Sequence, residues 1–200
     1  MQGNICRHIF WDWHGVLGTK KFWPRTSKVD EAVGAFVHYA FLEPDRIKDW
    51  MRNVHTTETL LHASGAHISQ TGLYDAFRKD WPTAEAVINA PLLQKVRTQF
   101  PYTPFSIITD NMDVFDDFVA SSPFLQREFK HIFTSAQIGR LKEDRPGLFE
   151  HVLASLGLDS FEHTLFLDDS MANCQRFMAL GGQALHVTNQ DVSSESLSNL

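Results

Sequence analysis

The amino-acid sequence predicts an α/β protein whose parallel sheet is covered by helices on both faces. Short apolar runs rich in strand-forming residues alternate with amphipathic helical patterns along most of the chain. Continuous apolar runs are typical of strands buried on both faces of a parallel sheet. One long stretch after the first run contains only helical patterns. Together these observations predict a Rossmann-like three-layer core with a small all-helical cap lobe.

The predicted strands are five short apolar runs. They cover residues 5–12, 104–109, 131–134, 164–167 and 183–187. Three of them lead into acidic residues, since Asp12 ends the first run, Asp110 follows the second and Asp168 follows the fourth. In open parallel sheets the ligand binds at the carboxyl ends of the strands. We therefore expect the functional site where these three side chains lie.

Helical patterns follow the second, third and fourth strands. Apolar side chains share one helix face at Phe115, Phe118 and Val119, at Leu148, Val152 and Leu156, and at Cys174, Phe177 and Met178. The pair Gly181-Gly182 is expected to end the last of these helices.

The stretch between the first two strands contains four apolar stripes at helical spacing. They comprise Val29, Val33, Phe36, Val37 and Phe41; Ile47, Trp50, Met51 and Val54; Leu73, Phe77 and Trp81; and Leu92, Val96 and Phe100. Ser27, with Asp30 three residues later, predicts a capping box at the start of the first helix. A single crossover connection usually needs only one helix. We therefore interpret residues 19–100 as a helical cap domain, and residues 1–18 with 101–200 as an α/β core domain.

Composition and charge narrow the possible partners. Of the 200 residues, 43% are hydrophobic and 21% are charged, as in ordinary globular proteins. The formal net charge of −6 argues against a nucleic-acid partner, which usually requires a basic face. The chain lacks an apolar run of the roughly 20 residues that span a membrane and begins without a signal-peptide pattern. Cys6 and Cys174 fit no zinc or disulfide spacing, which is typical of free thiols in a reducing cytoplasm. From these three observations we expect a cytoplasmic protein with no membrane partner.

Four segments at or just after the predicted strand ends carry a recognisable pattern. The first strand ends in Asp12-Trp13-His14-Gly15, and the second ends in Thr109. Lys142 follows the third strand, and Asp168-Asp169 follow the fourth. In this order the segments resemble the motifs of haloacid dehalogenase superfamily hydrolases. The resemblance extends over most of the core and is greatest to the subgroup with a helical cap between the first and second motifs.

The resemblance implies a chemical role for each segment. Asp12 is the expected nucleophile, which forms an aspartyl-phosphate. Thr109 and the backbone N–H of Asp110 are expected to bind phosphoryl oxygens, and Lys142 to neutralise phosphoryl charge. Mg²⁺ prefers oxygen ligands. The implied magnesium ligands are Asp12, Asp168 and the backbone carbonyl of His14, with Asp169 bound through water or orienting the others and Asn173 in support.

His14 is the main departure from the family pattern. Phosphatases of this superfamily have a second Asp at this position, which acts as the general acid and base. Haloacid dehalogenases have Tyr there, and phosphonate-cleaving members have Ala. Imidazole is a competent acid and base near neutral pH. A second departure is Glu143, which replaces the usual Pro, while Pro146 comes about one residue late.

These observations predict a Mg²⁺-dependent phosphatase that acts on a small phosphorylated metabolite, as a monomer or homodimer. One alternative is another hydrolase of the superfamily, a 2-haloacid dehalogenase or a phosphonatase with its Schiff-base lysine at Lys20, Lys21 or Lys28. Another is a catalytically weakened phosphate-binding or regulatory protein. Specificity is expected to reside in the cap. Aromatic residues there either stack on a ring of the substrate or pack between the lobes. Basic residues there either contact an anionic substrate or face solvent. These residues are Trp13, Phe22 and Trp23, and Arg25, Lys28, Arg46, Lys48 and Arg52.

Overall fold

The structure of the protein, a computed structural model, describes residues 6–193 and Leu197. Over these residues five parallel strands form one sheet in the order β3-β2-β1-β4-β5. The strands are β1 His8–Trp11, β2 Phe105–Thr109, β3 Ile132–Thr134, β4 Thr164–Asp168 and β5 Gln183–His186. All five predicted strands are confirmed. Ile5, where the first was predicted to begin, lies outside the described residues.

Six helices lie between β1 and β2, and we refer to residues 26–99 as the helical insertion. They are α1 Thr26–Val29, α2 Glu31–Leu42, α3 Pro44–Met51, α4 Thr57–Ser64, α5 Gln70–Asp80 and α6 Ala90–Gln99. The all-helical prediction for this stretch is confirmed. The division of the chain into a cap domain and a core domain stays a prediction. No helix in the described part of the chain has both the length and the apolar character needed to cross a membrane.

The start of the helical insertion differs from the prediction. Ser27 lies inside α1, and its hydroxyl donates a hydrogen bond to the carbonyl of Trp23 at 2.5 Å. Asp30 is the N-cap of α2, because its carboxylate accepts from the backbone N–H of Val33 at 3.1 Å. The predicted capping box is therefore wrong. Val29 belongs to α1 and is 84% exposed, so it is not part of the buried stripe of α2.

Two other details of the insertion differ from the prediction. Helix α4 was missed because its buried apolar residues, Leu60 and Leu61, are adjacent and do not repeat at helical spacing. Val54 was assigned to the stripe of the second helix, but α3 ends at Met51 and Val54 is exposed.

The remaining helices follow β2 to β4 and cover the sheet. They are α7 Asp113–Ala120, α8 Pro123–Glu128, α9 Ser135–Ile138, α10 Leu148–Leu156 and α11 Met171–Ala179. Phe10, Ile108 and Phe166 pack on one face of the sheet with residues of α10 and α11. Ile9 and Ile107 point to the other face, where they join a larger cluster that includes the helical insertion. The prediction of a sheet covered on both faces is confirmed.

An aromatic cluster joins the helical insertion to the sheet. Trp13 follows β1, and its ring lies 5.1 Å from Phe115 of α7 and 6.0 Å from Trp81 of the insertion. Trp81 in turn lies 5.3 Å from Phe118. Trp13 and Trp23 are fully buried, which supports packing rather than substrate stacking for both residues. We define the aromatic cluster as Trp13, Phe22, Trp23, Phe36, Trp50, Phe77, Trp81, Phe115 and Phe118.

Two carboxylates, one partly buried and one fully buried, reinforce this packing. Asp113, at the start of α7, accepts from the backbone N–H of Thr57 at 2.8 Å and from the indole N–H of Trp50 at 2.9 Å. Within the insertion, Asp80 accepts from the backbone N–H groups of Arg25 and Thr26, each at 3.0 Å. Burial opposes ionisation of Asp80, but these hydrogen bonds hold its pKa below the ordinary value.

Candidate active site

Three of the predicted site residues meet at the carboxyl end of the sheet. Asp12 directly follows the central strand β1, while Thr109 and Asp168 end the two strands beside it. The backbone N–H of Asp12 donates to the carbonyl of Leu167 at 2.8 Å, so the pairing of β1 with β4 continues to the carboxylate. The position of Asp12 is therefore fixed by the two adjacent buried strands.

Lys142 bridges two of the carboxylates in the buried centre of the site. Its Nζ lies 2.7 Å from Asp12 Oδ1 and 2.7 Å from Asp168 Oδ2. Lys142 is 1% exposed. Burial alone would lower the pKa of Lys142, but Asp12, Asp168 and Asp110 together raise it, so the ammonium stays protonated. Burial raises the pKa of Asp12, and Lys142 opposes that shift.

The backbone around Lys142 is held by two further side chains. Asp110 Oδ1 accepts from the backbone N–H of Lys142 at 3.0 Å. Burial raises the pKa of Asp110 to about 6, and Lys142 opposes the shift. On the other side, Arg176 Nε donates to the carbonyl of Lys142 at 2.7 Å, and Arg176 Nη2 donates to that of Asp144 at 2.7 Å. Arg176 was not predicted from the sequence, since a single arginine on α11 matches no motif.

Asp168 is oriented by the first turn of α11. Its Oδ1 accepts from the backbone N–H of Ser170 at 2.7 Å. The side-chain amide of Asn173 donates to both carboxylate oxygens, at 3.2 and 3.1 Å. Asn173, which was expected to support the metal ligands, therefore contacts one of them, and its role in metal binding stays a prediction. Lys142 and Asn173 together fix both oxygens of a fully buried carboxylate.

Asp12, Asp168 and Asp169 form a cluster with the donor chemistry of a magnesium site. One carboxylate oxygen from each lies within 4.8 Å of the others. Gly15 has a φ of +75°, and a Cβ built there would lie 2.1 Å from Asp169 Oδ2. The absence of a side chain at Gly15 thus permits the approach of Asp169. Three oxygen ligands at one sheet edge fit a hard divalent cation.

Thr109 and Asn111 complete the edge beside β1. Thr109 is fully buried, and its hydroxyl accepts from the side-chain amide of Asn111 at 3.2 Å. The backbone N–H of Asn111 donates to Ser135 Oγ at 2.9 Å. These bonds connect the end of β2 to α9. The phosphate contacts predicted for Thr109 and Asp110 stay predictions.

Comparison with solved structures places this arrangement in a known fold. A predicted haloacid dehalogenase-like hydrolase from Porphyromonas gingivalis superposes with a TM-score of 0.69 at 20% identity, over 98% of this chain and 97% of that one. A haloacid dehalogenase family enzyme from Bacteroides thetaiotaomicron, solved with magnesium and inorganic phosphate, gives 0.66 at 15% identity, over 95% and 98%. The chain has the haloacid dehalogenase fold.

A third similar structure is an enzyme named for its reaction. It is the L-2-haloacid dehalogenase from Xanthobacter autotrophicus, with a TM-score of 0.56 at 15% identity, covering 96% of this chain and 81% of that one. No protein-family model matches the sequence, and no curated protein sequence does. At these identities the structural similarity establishes the haloacid dehalogenase fold and not the reaction.

His14, which the motif resemblance places where a second Asp is expected, follows β1 at the same sheet edge. The residue is exposed, but its ring is partly desolvated, which lowers its pKa; Asp169 opposes the shift and Lys21 adds to it. Nearby, His186 Nε2 lies 2.9 Å from the backbone carbonyl of Asp169. His186 was not predicted as a site residue, although its position at the end of β5 could have indicated it.

Most of the cations predicted to meet an anionic substrate bind partners within the protein. Arg25 pairs with Asp80 at 3.2 Å, and Lys48 pairs with Glu143 at 2.7 Å. Arg52 forms two hydrogen bonds with Asp144, and Arg46 donates to the carbonyl of Tyr39. These contacts favour structural roles for the four residues.

Proposed function

We propose that the protein is a magnesium-dependent phosphatase that hydrolyses a small-molecule phosphate monoester through an aspartyl-phosphate on Asp12. The observation that carries this proposal is the buried bridge from Lys142 to Asp12 and Asp168 beside the acidic cluster. It combines a nucleophilic carboxylate, a fixed cation and oxygen ligands at one sheet edge. Phosphoryl transfer depends mainly on such positioning and charge stabilisation.

The proposed reaction has two displacements at phosphorus. Lys142 binds Oδ1 of Asp12, and we assign the attack to Oδ2. This oxygen forms a bond to phosphorus while the ester P–O bond breaks, and the leaving alkoxide takes a proton from His14. Water then attacks the aspartyl-phosphate as His14 removes its proton, which releases phosphate and regenerates Asp12.

The acidic cluster fits the cation that this reaction uses. Asp12, Asp168 and Asp169 would hold Mg²⁺ with the backbone carbonyl of His14, and the bound ion would stabilise negative charge on the phosphoryl group. Support comes from the relative from Bacteroides thetaiotaomicron, which was solved with magnesium and inorganic phosphate. Thr109, the backbone N–H of Asp110 and Lys142 are the proposed phosphate-binding groups.

In the proposed function, the helical insertion selects the substrate. We retain residues 19–100 as the cap domain and residues 1–18 with 101–200 as the core domain. The groups proposed for catalysis contact only the phosphoryl group and the oxygen it leaves. The rest of a small phosphorylated metabolite would therefore be recognised by the cap.

Metal removal tests the proposed reaction class. Purified full-length protein is expected to hydrolyse p-nitrophenyl phosphate with Mg²⁺ and to lose turnover in EDTA, because the cation stabilises the transferring group. Excess Mg²⁺ should restore the original rate, which separates metal loss from irreversible unfolding. A panel of phosphate esters would then identify the substrate class.

Two of the alternatives, the 2-haloacid dehalogenase and the phosphate-binding protein, predict different outcomes of these assays. Halide release from 2-haloacids without metal would support a dehalogenase, the activity of the relative from Xanthobacter autotrophicus. Binding of phosphate with Mg²⁺, but without turnover of any ester, would support a binding protein. The adjacent carboxylates of Asp168 and Asp169 favour the phosphatase, since attack on a carbon–halogen bond needs no divalent metal.

Replacing His14 tests its proposed role as acid and base. We expect His14→Ala to lower kcat by about 10²–10⁴-fold, the usual contribution of general acid–base catalysis. Without the base, the aspartyl-phosphate should accumulate, so rapid mixing should show a burst of roughly one equivalent of p-nitrophenol. His151→Ala, on an exposed part of α10, is the control. Unchanged kcat in His14→Ala would remove His14 from the mechanism.

A further inference from the structure

Asp144, which belongs to the same loop as Lys142, holds the turn of that loop through a hydrogen bond. Asp144 Oδ2 accepts from the backbone N–H of Leu141 at 2.8 Å. This hydrogen bond spans Lys142 and fixes the turn from which its side chain enters the site. The orientation of the Asp144 carboxylate therefore bears directly on where the Lys142 ammonium lies.

The same carboxylate is bound by an arginine from the helical insertion. Arg52 immediately follows α3, and its Nε and Nη2 donate to Asp144 Oδ2 and Oδ1 at 3.0 and 2.6 Å. Both side chains are 25% exposed. Two parallel hydrogen bonds of this kind fix the plane of a carboxylate, which a single contact does not.

We propose that Arg52 is a positioning residue for Lys142 and acts through Asp144. Without Arg52, the Asp144 carboxylate would be free to rotate towards water, and its hydrogen bond to Leu141 would weaken. Lys142 would then be less well placed against Asp12 and Asp168. Small misplacements of catalytic groups can cost up to about 100-fold in rate. The kinetic part of this inference rests on the proposed phosphatase function.

A second ion pair between the same two segments provides a matched control. Lys48 of α3 binds Glu143 at 2.7 Å, but these side chains are 45% and 52% exposed. Glu143 is the direct neighbour of Lys142, yet its described contacts are with Lys48 and Arg52 and not with the backbone of the loop. The two pairs therefore differ in whether they hold the turn.

The kinetic experiment compares Arg52→Ala with Lys48→Ala, using p-nitrophenyl phosphate and Mg²⁺. We expect kcat of Arg52→Ala to fall about tenfold with KM changed less than about twofold, because the change affects positioning and not substrate binding. Lys48→Ala should stay within about twofold in both constants. Arg52→Lys, which keeps the charge but not the paired donors, should recover only part of the loss.

Hydrogen exchange provides a readout that does not depend on turnover. The backbone amide hydrogen of Leu141 is expected to exchange faster in Arg52→Ala than in the parent. In Lys48→Ala its exchange rate should equal that of the parent. If the parent hydrolyses no phosphate ester, the proposed function fails. The exchange result still tests whether the Arg52–Asp144 pair holds the loop that carries Lys142. Equal kcat and equal exchange in the two alanine variants would overturn the inference. If Arg52→Ala does not fold, the same two measurements on Arg52→Lys decide.

Discussion

Asp12→Asn is expected to abolish phosphatase turnover, with kcat at least about 10⁴-fold below that of the parent. An amide does not attack phosphorus, so the phosphorylated intermediate cannot form. The amide oxygen of Asn can still accept from Lys142, which now bonds to Asp12 Oδ1. We therefore expect the variant to fold, and loss of turnover would report on chemistry.

Two measurements make this prediction specific. Mass spectrometry of the parent, quenched in acid during turnover, should locate a phosphoryl group on Asp12, and the variant should carry none. Asp75→Asn, the same change at an exposed position of α5, should keep the parental rate. Hydrolysis by Asp12→Asn at the rate of the parent would show that another residue is the nucleophile.

Lys142→Met is expected to lower the free energy of unfolding by about 3–5 kcal/mol at neutral pH and in the absence of metal. The substitution removes the cation between the buried carboxylates of Asp12 and Asp168 and leaves them facing each other. Urea denaturation followed by circular dichroism measures this loss. Turnover should also fall steeply, because Lys142 is the proposed cation for the phosphoryl group.

Two comparisons separate charge loss from lost packing. Lys48→Met removes a lysine from an exposed ion pair and should cost no more than about 1 kcal/mol. Asp12→Asn in the Lys142→Met background should recover part of the lost stability, because it removes one of the unpaired charges. If Lys142→Met costs no more than Lys48→Met, the buried bridge does not stabilise the fold.

The strand ends were predictable because their signals are local. Apolar runs that lead into Asp12, Asp110 and Asp168 are visible in sequence, and a parallel sheet brings such ends to one edge. The order of the four motifs identified Lys142 as a further site residue, although Lys142 does not directly follow a strand. The structure shows how Lys142 reaches the edge, through a bridge to carboxylates 130 and 26 residues away in sequence.

The contacts that hold Lys142 were not predictable. Arg52 and Asp144 are 92 residues apart, and Arg176 and Lys142 are 34 apart, with no periodicity connecting them. From sequence alone, a charged side chain on or next to a helix is interpreted as exposed to solvent, because the position of its partner is not known. The capping box failed for a related reason, since Ser27 and Asp30 have the right spacing but serve two different helices.

The aromatic cluster has a consequence for how the substrate range of this fold can change. Trp13 directly follows the proposed nucleophile Asp12, and its ring packs against Trp81 and Phe115. The helical insertion and the candidate active site are therefore joined by the same aromatic side chains. A chimaera that grafts a relative's cap onto this sheet would leave those rings without their complementary surface. Under the proposed function, substrate specificity is therefore expected to change by point substitutions on the existing helices, and not by exchange of residues 19–100 as a module.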